Sequence, residues 1–211
     1  VGMLLKKRFL SSPVAFGRTL AAYTQSLADP GRALAASLFD DDDEVLREVL
    51  GSEASDEEEG LQHHPEFVAL QQRKAANPLA AATKADLTNL IEWGLCHESR
   101  PDSRLDALVR FLDGICRPGR QWSNERVVVF TEYADTLAWI VEVLTSKGYG
   151  DRLEVIQGST DPEERELIRQ RFTANPADEP VRVLVATDSA GEGIDLQTHC
   201  HRLVNFDIPF N

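Results

Sequence analysis

The sequence contains no CxxC pair, no GxxxxGK[ST] loop, no GxGxxG after a strand-like run and no long apolar stretch. Its three cysteines, Cys96, Cys116 and Cys200, are far apart and odd in number. That spacing argues against a disulfide framework and against a zinc site, and it fits a reducing cytoplasm. Without an apolar run of membrane-spanning length, no membrane partner is expected. The opening VGMLLKKRFL places basic residues beside a short apolar patch, but it lacks the long apolar centre and cleavage-like site of a secretory signal. The missing GxxxxGK[ST] and DEAH-like pair leave the chain without a nucleotide-phosphate cradle or magnesium-holding acids of that type. The missing GxGxxG disfavours a free-standing Rossmann-like binder.

What is present begins with acid. The 211 residues carry a formal charge of -13, and 42% of them are hydrophobic, enough for a buried core. The charge is local. Residues 40–59 hold 11 acidic side chains and one basic one, leaving 24 acidic against 21 basic elsewhere. Residues 1–39 lean the other way, with five basic and one acidic. The total is therefore weak evidence against a polyanionic partner.

Two textures divide the chain. Residues 1–120 read as helical, with an acidic flexible tract at about 40–60. Ser12-Pro13 is a helix start, since serine caps free N–H groups and proline fits the first turn. Val14, Phe16, Leu20, Tyr23 and Leu27 follow near helical spacing, and Asp29-Pro30-Gly31 ends the pattern. Short helices are expected over 32–39, 66–76 and 80–93. A further one places Leu105, Leu108, Val109 and Leu112 on one face. From Arg126 the pattern changes to alternation. RVVVF, RLEVI, VRVLVA and LVNF are strand-like, with amphipathic helices over 133–147 and from Asp161-Pro162 to about Phe172. This order predicts an α/β lobe with a parallel sheet covered by helices, whose ligands meet loops beyond the carboxyl ends of the strands.

Three such loops carry candidate chemistry. Thr131 ends the first strand, and its hydroxyl and the following N–H groups suit a phosphate oxygen, though this loop alone favours a helix cap. Gly158 and Ser159 follow the second strand and suit close contact with a sugar-phosphate backbone, or a plain turn. The third loop, ATDSAGEGIDLQ, sets Gly191 and Gly193 around Glu192, with Asp188 and Asp195 nearby. So many carboxylates beside glycines need something to organise them, such as basic side chains from another lobe or a metal-bound nucleotide. His199-Cys200-His201 and His63-His64 are read as metal-free surface and loop residues. Trp93, Trp122 and Trp139 are read as core or edge residues.

RVVVFTEYADT resembles helicase motif IV. IQGSTDPEERELIRQRF resembles the glycine-arginine-phenylalanine segment that follows it, and VLVATDSAGEGIDLQ resembles motif V. Their order is similar to that of the C-terminal RecA-like lobe of bacterial superfamily 2, Swi/Snf-like helicases and ATPases. LLKKRFLSSPVAFGRTL resembles the helical linker that precedes that lobe. The resemblance implies a P-loop-NTPase-type fold over 121–211, incomplete at its end, because NFDIPFN stands where the family continues into its arginine motif. It implies that Thr131, Gly158, Ser159, Thr187, Gly191 and Glu192 meet nucleic acid, DNA in preference to RNA. Gly193 and Asp195 would lie at the ATP cleft or couple to it, and Arg165 would brace the fold. Eukaryotic remodellers typically carry a small or apolar residue in place of Glu192, which argues against nucleosome remodelling. ATP and Mg2+ would be used by the longer protein, with an N-terminal RecA-like lobe as partner, and this chain alone would not hydrolyse ATP. An alternative makes the helical, acidic region a docking module for a polymerase or a defence-complex subunit.

Overall fold

The computed structural model describes residues 2–28, 81–188 and 195–207. The expected helices over 32–39 and 66–76, the acidic tract, His63-His64 and the Asp29-Pro30-Gly31 break lie outside them.

The first helices are α1 (Gly2–Ser11) and α2 (Pro13–Ala28). The Ser12 and Phe16 N–H groups donate to Arg8 O and Ser12 O at 3.0 and 3.1 Å, so the hydrogen-bonded path almost continues between the helices. It breaks because Pro13 has no N–H to give back to the preceding turn. Ser12 acts as the expected cap, its Oγ accepting the Ala15 N–H at 3.0 Å. Helix α3 (Ala81–Leu95) packs along α2. Their backbones meet at two glycines: a Cβ on Gly94 would lie 2.6 Å from Pro13 O and 2.7 Å from Gly17 Cα.

Helix α4 (Ser103–Cys116) starts on Asp102, whose carboxylate accepts the Leu105 N–H at 2.7 Å. Strand β1 (Val127–Thr131), helix α5 (Ala134–Leu144), strand β2 (Leu153–Ile156), helix α6 (Pro162–Thr173), strand β3 (Val183–Thr187) and strand β4 (Leu203–Asn205) complete the order. Helix α5 stops short of the expected 147. The chain widens into a π-helical turn over Thr145–Tyr149, which contains Gly148, whose φ of 87° is open to glycine at little cost. The four strands are parallel, in the order β2-β3-β1-β4. This is the RecA-like arrangement that the motifs imply.

Both faces of the sheet are covered, which is why its strands read as unbroken apolar runs. Val127, Val129, Val183 and Val185 point to one face and pack with Leu105, Leu112, Leu137, Ile140 and Trp139 of α4 and α5. Val128, Leu184, Ala186 and Ile156 point to the other, against Ile168 and Phe172 of α6. The chain runs from β1 out past β3 to β2, then returns to β3. A reversal of direction with crossovers of one hand puts consecutive helices on opposite faces, as α5 and α6 are. The core does not divide at residue 120: α4 and Val14 of α2 contribute to the sheet's own cluster. Periodicity alone grouped α4 with the helical part, because a helix that covers a sheet and a helix in a linker carry the same apolar stripe.

No described helix is long and apolar enough to cross a membrane. Among the described residues no group of three or more His, Cys, Asp or Glu is placed to hold a metal. Cys200 is buried between exposed His199 and His201.

Candidate functional site

Parallel strands end on one rim, and the register fixes which residues share it. Thr131 pairs with Thr187, Phe130 with Ala186 and with Asn205, and Ile156 with Ala186. One step beyond this row lie Gln157, Thr131, Thr187 and Phe206. The turns at Thr131 and Gly158 and the approach to Gly191 therefore leave the sheet on the same side. Gly191, Glu192 and Gly193 themselves lie outside the described residues.

The rim has a buried centre. Asp207, at the end of β4, accepts the Thr131 hydroxyl at 2.5 Å and the Glu132 N–H at 2.7 Å, both on Oδ2. Thr131 is only 1% exposed. Its hydroxyl thus faces Asp207, a correction to the expectation that it meets a nucleic-acid backbone: a strand-end hydroxyl takes the carboxylate that the neighbouring strand delivers beside it. Thr187 is also buried, and among the described residues neither its Oγ1 nor Asp207 Oδ1 has a hydrogen-bond partner. Buried polar atoms in that state are uncommon, and they often mark functional places. Partial desolvation, and then the charge of Asp207, push the Asp188 carboxyl up.

The second turn is open. The Gln157 N–H donates to Thr160 Oγ1 at 2.9 Å and the Thr160 N–H to Gln157 O at 3.0 Å, which leaves Gly158 and Ser159 at the exposed tip. A cleft of about 630 Å³ borders Gly158, Ser159, Asp161, Arg165 and Arg169. Asp161 caps α6 as expected, accepting the Glu163 N–H at 2.9 Å. Arg165 reaches back to Gln157 O at 3.4 Å, a bracing contact, while its buried Nε is unpartnered. Arg169 grips Glu166 in a two-pronged pair at 2.7 and 2.6 Å. That grip, with a bond from Gln170, holds the exposed Glu166 carboxyl down at about 2. Glu166, and more weakly Asp195, hold the Arg169 guanidinium more firmly protonated. Asp195 is exposed, and its Oδ1 accepts the Gln197 N–H at 3.1 Å.

Sequence reasoning missed Asp207 and Arg169. Asp207 was findable: it follows the fourth strand-like run by one residue, and a parallel sheet puts every such position on the ligand rim. Arg169 reads as an ordinary helix-surface charge until its nearness to Asp195 is known.

Residues 103–211 match the model of the helicase conserved C-terminal domain. The chain is 28% identical over 88 residues to the uncharacterized ATP-dependent helicase YqhH of Bacillus subtilis, covering 42% of this chain and 14% of that protein. It is 32% identical over 111 residues to the pre-mRNA-splicing ATP-dependent RNA helicase PRP28 of Scheffersomyces stipitis, covering 53% and 21%. It thus spans a fifth or less of the length of most of its curated relatives. Among solved structures, the Sulfolobus solfataricus SWI2/SNF2 ATPase C-terminal domain aligns at a TM-score of 0.45 and 17% identity, over 87% of this chain and 67% of that one. The family match spans more than half the chain and contains every strand of the sheet. This chain therefore belongs to the helicase conserved C-terminal domain family.

Proposed function

We propose that this chain is the second lobe of a nucleic-acid-dependent ATPase of the Swi/Snf-like kind, which offers one track for nucleic acid and one wall of an ATP cleft. The observation that carries the reading is the shared rim. Gly158 and Ser159 stand exposed on it, and the Thr187–Asp188 approach to the Gly191-Glu192-Gly193 loop leaves the same edge. Exposed backbone at a glycine turn suits a sugar-phosphate chain, which is gripped by N–H groups and hydroxyls without reading sequence. Gly191 and Glu192 would contact nucleic acid or couple it to the nucleotide, while Gly193 and Asp195 would line the cleft. Thr131 and Thr187 support the rim from beneath. DNA is the preferred polymer. ATP and Mg2+ would be held chiefly by an N-terminal RecA-like lobe, so this chain alone would not turn over ATP.

The experiment is ATP hydrolysis by a protein carrying both lobes, with and without DNA or RNA. Gly191→Ala and Glu192→Ala should each abolish or uncouple the stimulation. Unchanged stimulation in both would defeat the reading, as would magnesium-dependent turnover by this chain alone that is lost on mutating its own residues.

A second reading is favoured by a separate observation. Phe9, Leu10, Leu90 and Trp93 of the helical part are each between 41% and 51% exposed, and exposed apolar groups of this density suit a protein partner. The helical region would then dock a polymerase or a defence-complex subunit. A pull-down with the whole chain, against one in which Phe9→Ser and Trp93→Ser remove the exposed apolar groups, separates this role from the motor role, and the two are compatible.

A further inference from the structure

The turn that follows β1 is gripped from outside the sheet. Arg8 of α1 is 1% exposed, with its guanidinium carbon 3.9 Å from the Tyr133 ring centre. Its Nη1 stands 3.8 Å from Asp135 Oδ2. Among the described residues its Nε and Nη1 have no hydrogen-bond partner, and it stacks on Tyr133 beside the Asp135 charge. Lys7 lies 3.8 Å from Glu132. The Ser11 and Ser12 hydroxyls bond Thr136 Oγ1 at 2.6 and 2.9 Å, and Arg18 of α2 donates to Asp135 at 2.7 Å. Four of the five residues from 132 to 136 are thus held by α1 or α2.

The grip closes into a circuit. Arg104 of α4 donates to Leu10 O at 2.6 Å and to Ser11 O, at the end of α1. Its guanidinium lies 4.5 Å from the ring centre of Phe206, the neighbour of Asp207. Asp207 in turn holds Thr131 and the Glu132 N–H. A seam built of buried hydroxyls and guanidinium groups differs from an apolar one. Its bonds are directional, so a shift of α1 or α2 that breaks one of them is felt at the others.

We infer that α1 and α2 are a lever on the rim, with Arg8 and Arg104 as positioning residues that transmit movement of the helical pair to the turn over 131–136. This rests on the proposal that the rim receives nucleic acid. Binding at the helices, or a swing of another lobe joined to them, then changes how the rim presents its backbone.

The test has two readouts. Hydrogen exchange on the full chain compares Arg8→Ala and Arg104→Ala with the parent. Amides of 132–137 should exchange about tenfold faster while those of β3 stay protected, since local opening follows local contacts. Thr136→Val removes the hydroxyl link while keeping the shape, and it must have the same local effect if the arginine variants fail to fold. Unchanged exchange at the turn in folded variants overturns the lever. In the two-lobe protein, the KM for nucleic acid in stimulated hydrolysis should rise about fivefold or more, with the unstimulated rate unchanged, the size expected of an energetic link between sites. A stimulated parent whose variants keep the same KM also overturns it. Faster exchange at the turn in a protein that ignores nucleic acid supports the lever and defeats the nucleic-acid reading instead.

Discussion

Asp207 and Thr131 are 76 residues apart in the chain and 2.5 Å apart in the fold, and the carboxylate oxygen that joins them also takes the Glu132 N–H at 2.7 Å. This pair ties the end of β4 to the end of β1, where the candidate rim begins. A hydrogen bond to a charged group contributes roughly 1.5–3 kcal/mol, and a donor left buried without a partner costs about as much. Asp207→Ala should therefore destabilise the fold by about 2–3 kcal/mol in urea titration. Asp207→Asn should cost less, since the amide keeps an accepting oxygen. In the Thr131→Val, Asp207→Ala double variant the losses should sum to less than the two singles, because either change alone already breaks the link.

The same residue sets a pH dependence. Partial desolvation and the Asp207 charge raise the Asp188 carboxyl above its ordinary value. A carboxyl raised by folding favours the folded state while it is protonated. That contribution is complete below the unfolded value and is lost as pH rises through the folded one. Asp207→Asn removes the like charge, so the Asp188 titration followed by NMR should move downward towards the ordinary carboxylate range. An unmoved titration would mean that desolvation alone sets it.

At the opposite end of the sheet, Arg126 is 1% exposed, lies 5.5 Å from the Phe172 ring centre and gives its hydrogen bonds to backbone carbonyls. It donates to Val181 O at 3.1 Å, to Ala174 O at 2.5 Å, to Arg171 O at 3.4 Å and to Phe172 O. These carbonyls include those left open where α6 ends, where a cation is favoured. Arg126→Ala strands several of them and should cost about 2–5 kcal/mol in denaturant titration. Arg126→Lys should recover little, since an ammonium cannot fork to carbonyls spread over two segments.

The sheet was legible in the sequence because its strands are buried on both faces. Val127 to Phe130 and Val183 to Ala186 read as unbroken apolar runs, and the first is followed by the amphipathic helix that the structure retains. The shared rim of the candidate loops followed from parallel pairing alone, without any contact being known. Arg8 and Arg104 were not legible, and Asp207 was legible only by its place after the fourth strand-like run, not by its partners. Each acts through a partner 75 or more residues away, and nothing in the local pattern marks such a pairing. Thr131 was misread for the related reason that a strand-end hydroxyl looks the same whether it faces solvent or a carboxylate from the next strand.

The helical pair should respond sharply to one methyl group. A Cβ on Gly94 would stand 2.6 Å from Pro13 O and 2.7 Å from Gly17 Cα, and both neighbours are backbone that cannot rotate aside. Alanine normally favours a helix interior over glycine by about 0.8–1 kcal/mol. Here overpacking of about 1–3 kcal/mol should outweigh it. Gly94→Ala should thus lower the thermal midpoint, whereas Gly114→Ala, whose Cβ would meet nothing within 4 Å, should raise or preserve it. A stabilised Gly94→Ala would show that α2 and α3 do not approach so closely.

Thiol labelling tests how α4 seats on the sheet. Cys96 is exposed, while Cys116 is fully buried and Cys200 nearly so. Desolvation pushes the Cys116 thiol up to about 12 and raises Cys200 as well. The thiolate is the reacting form, so burial slows these two both by denying access and by suppressing ionisation. Mass-resolved labelling of the native chain should modify Cys96 alone in the fast phase, and all three sites once guanidinium unfolds it. Fast native labelling of Cys116 would mean that α4 leaves the core cluster it shares with Val127 and Val183. Fast labelling of Cys200 alone would place the opening on the other face, beside α6, and leave the seat of α4 intact.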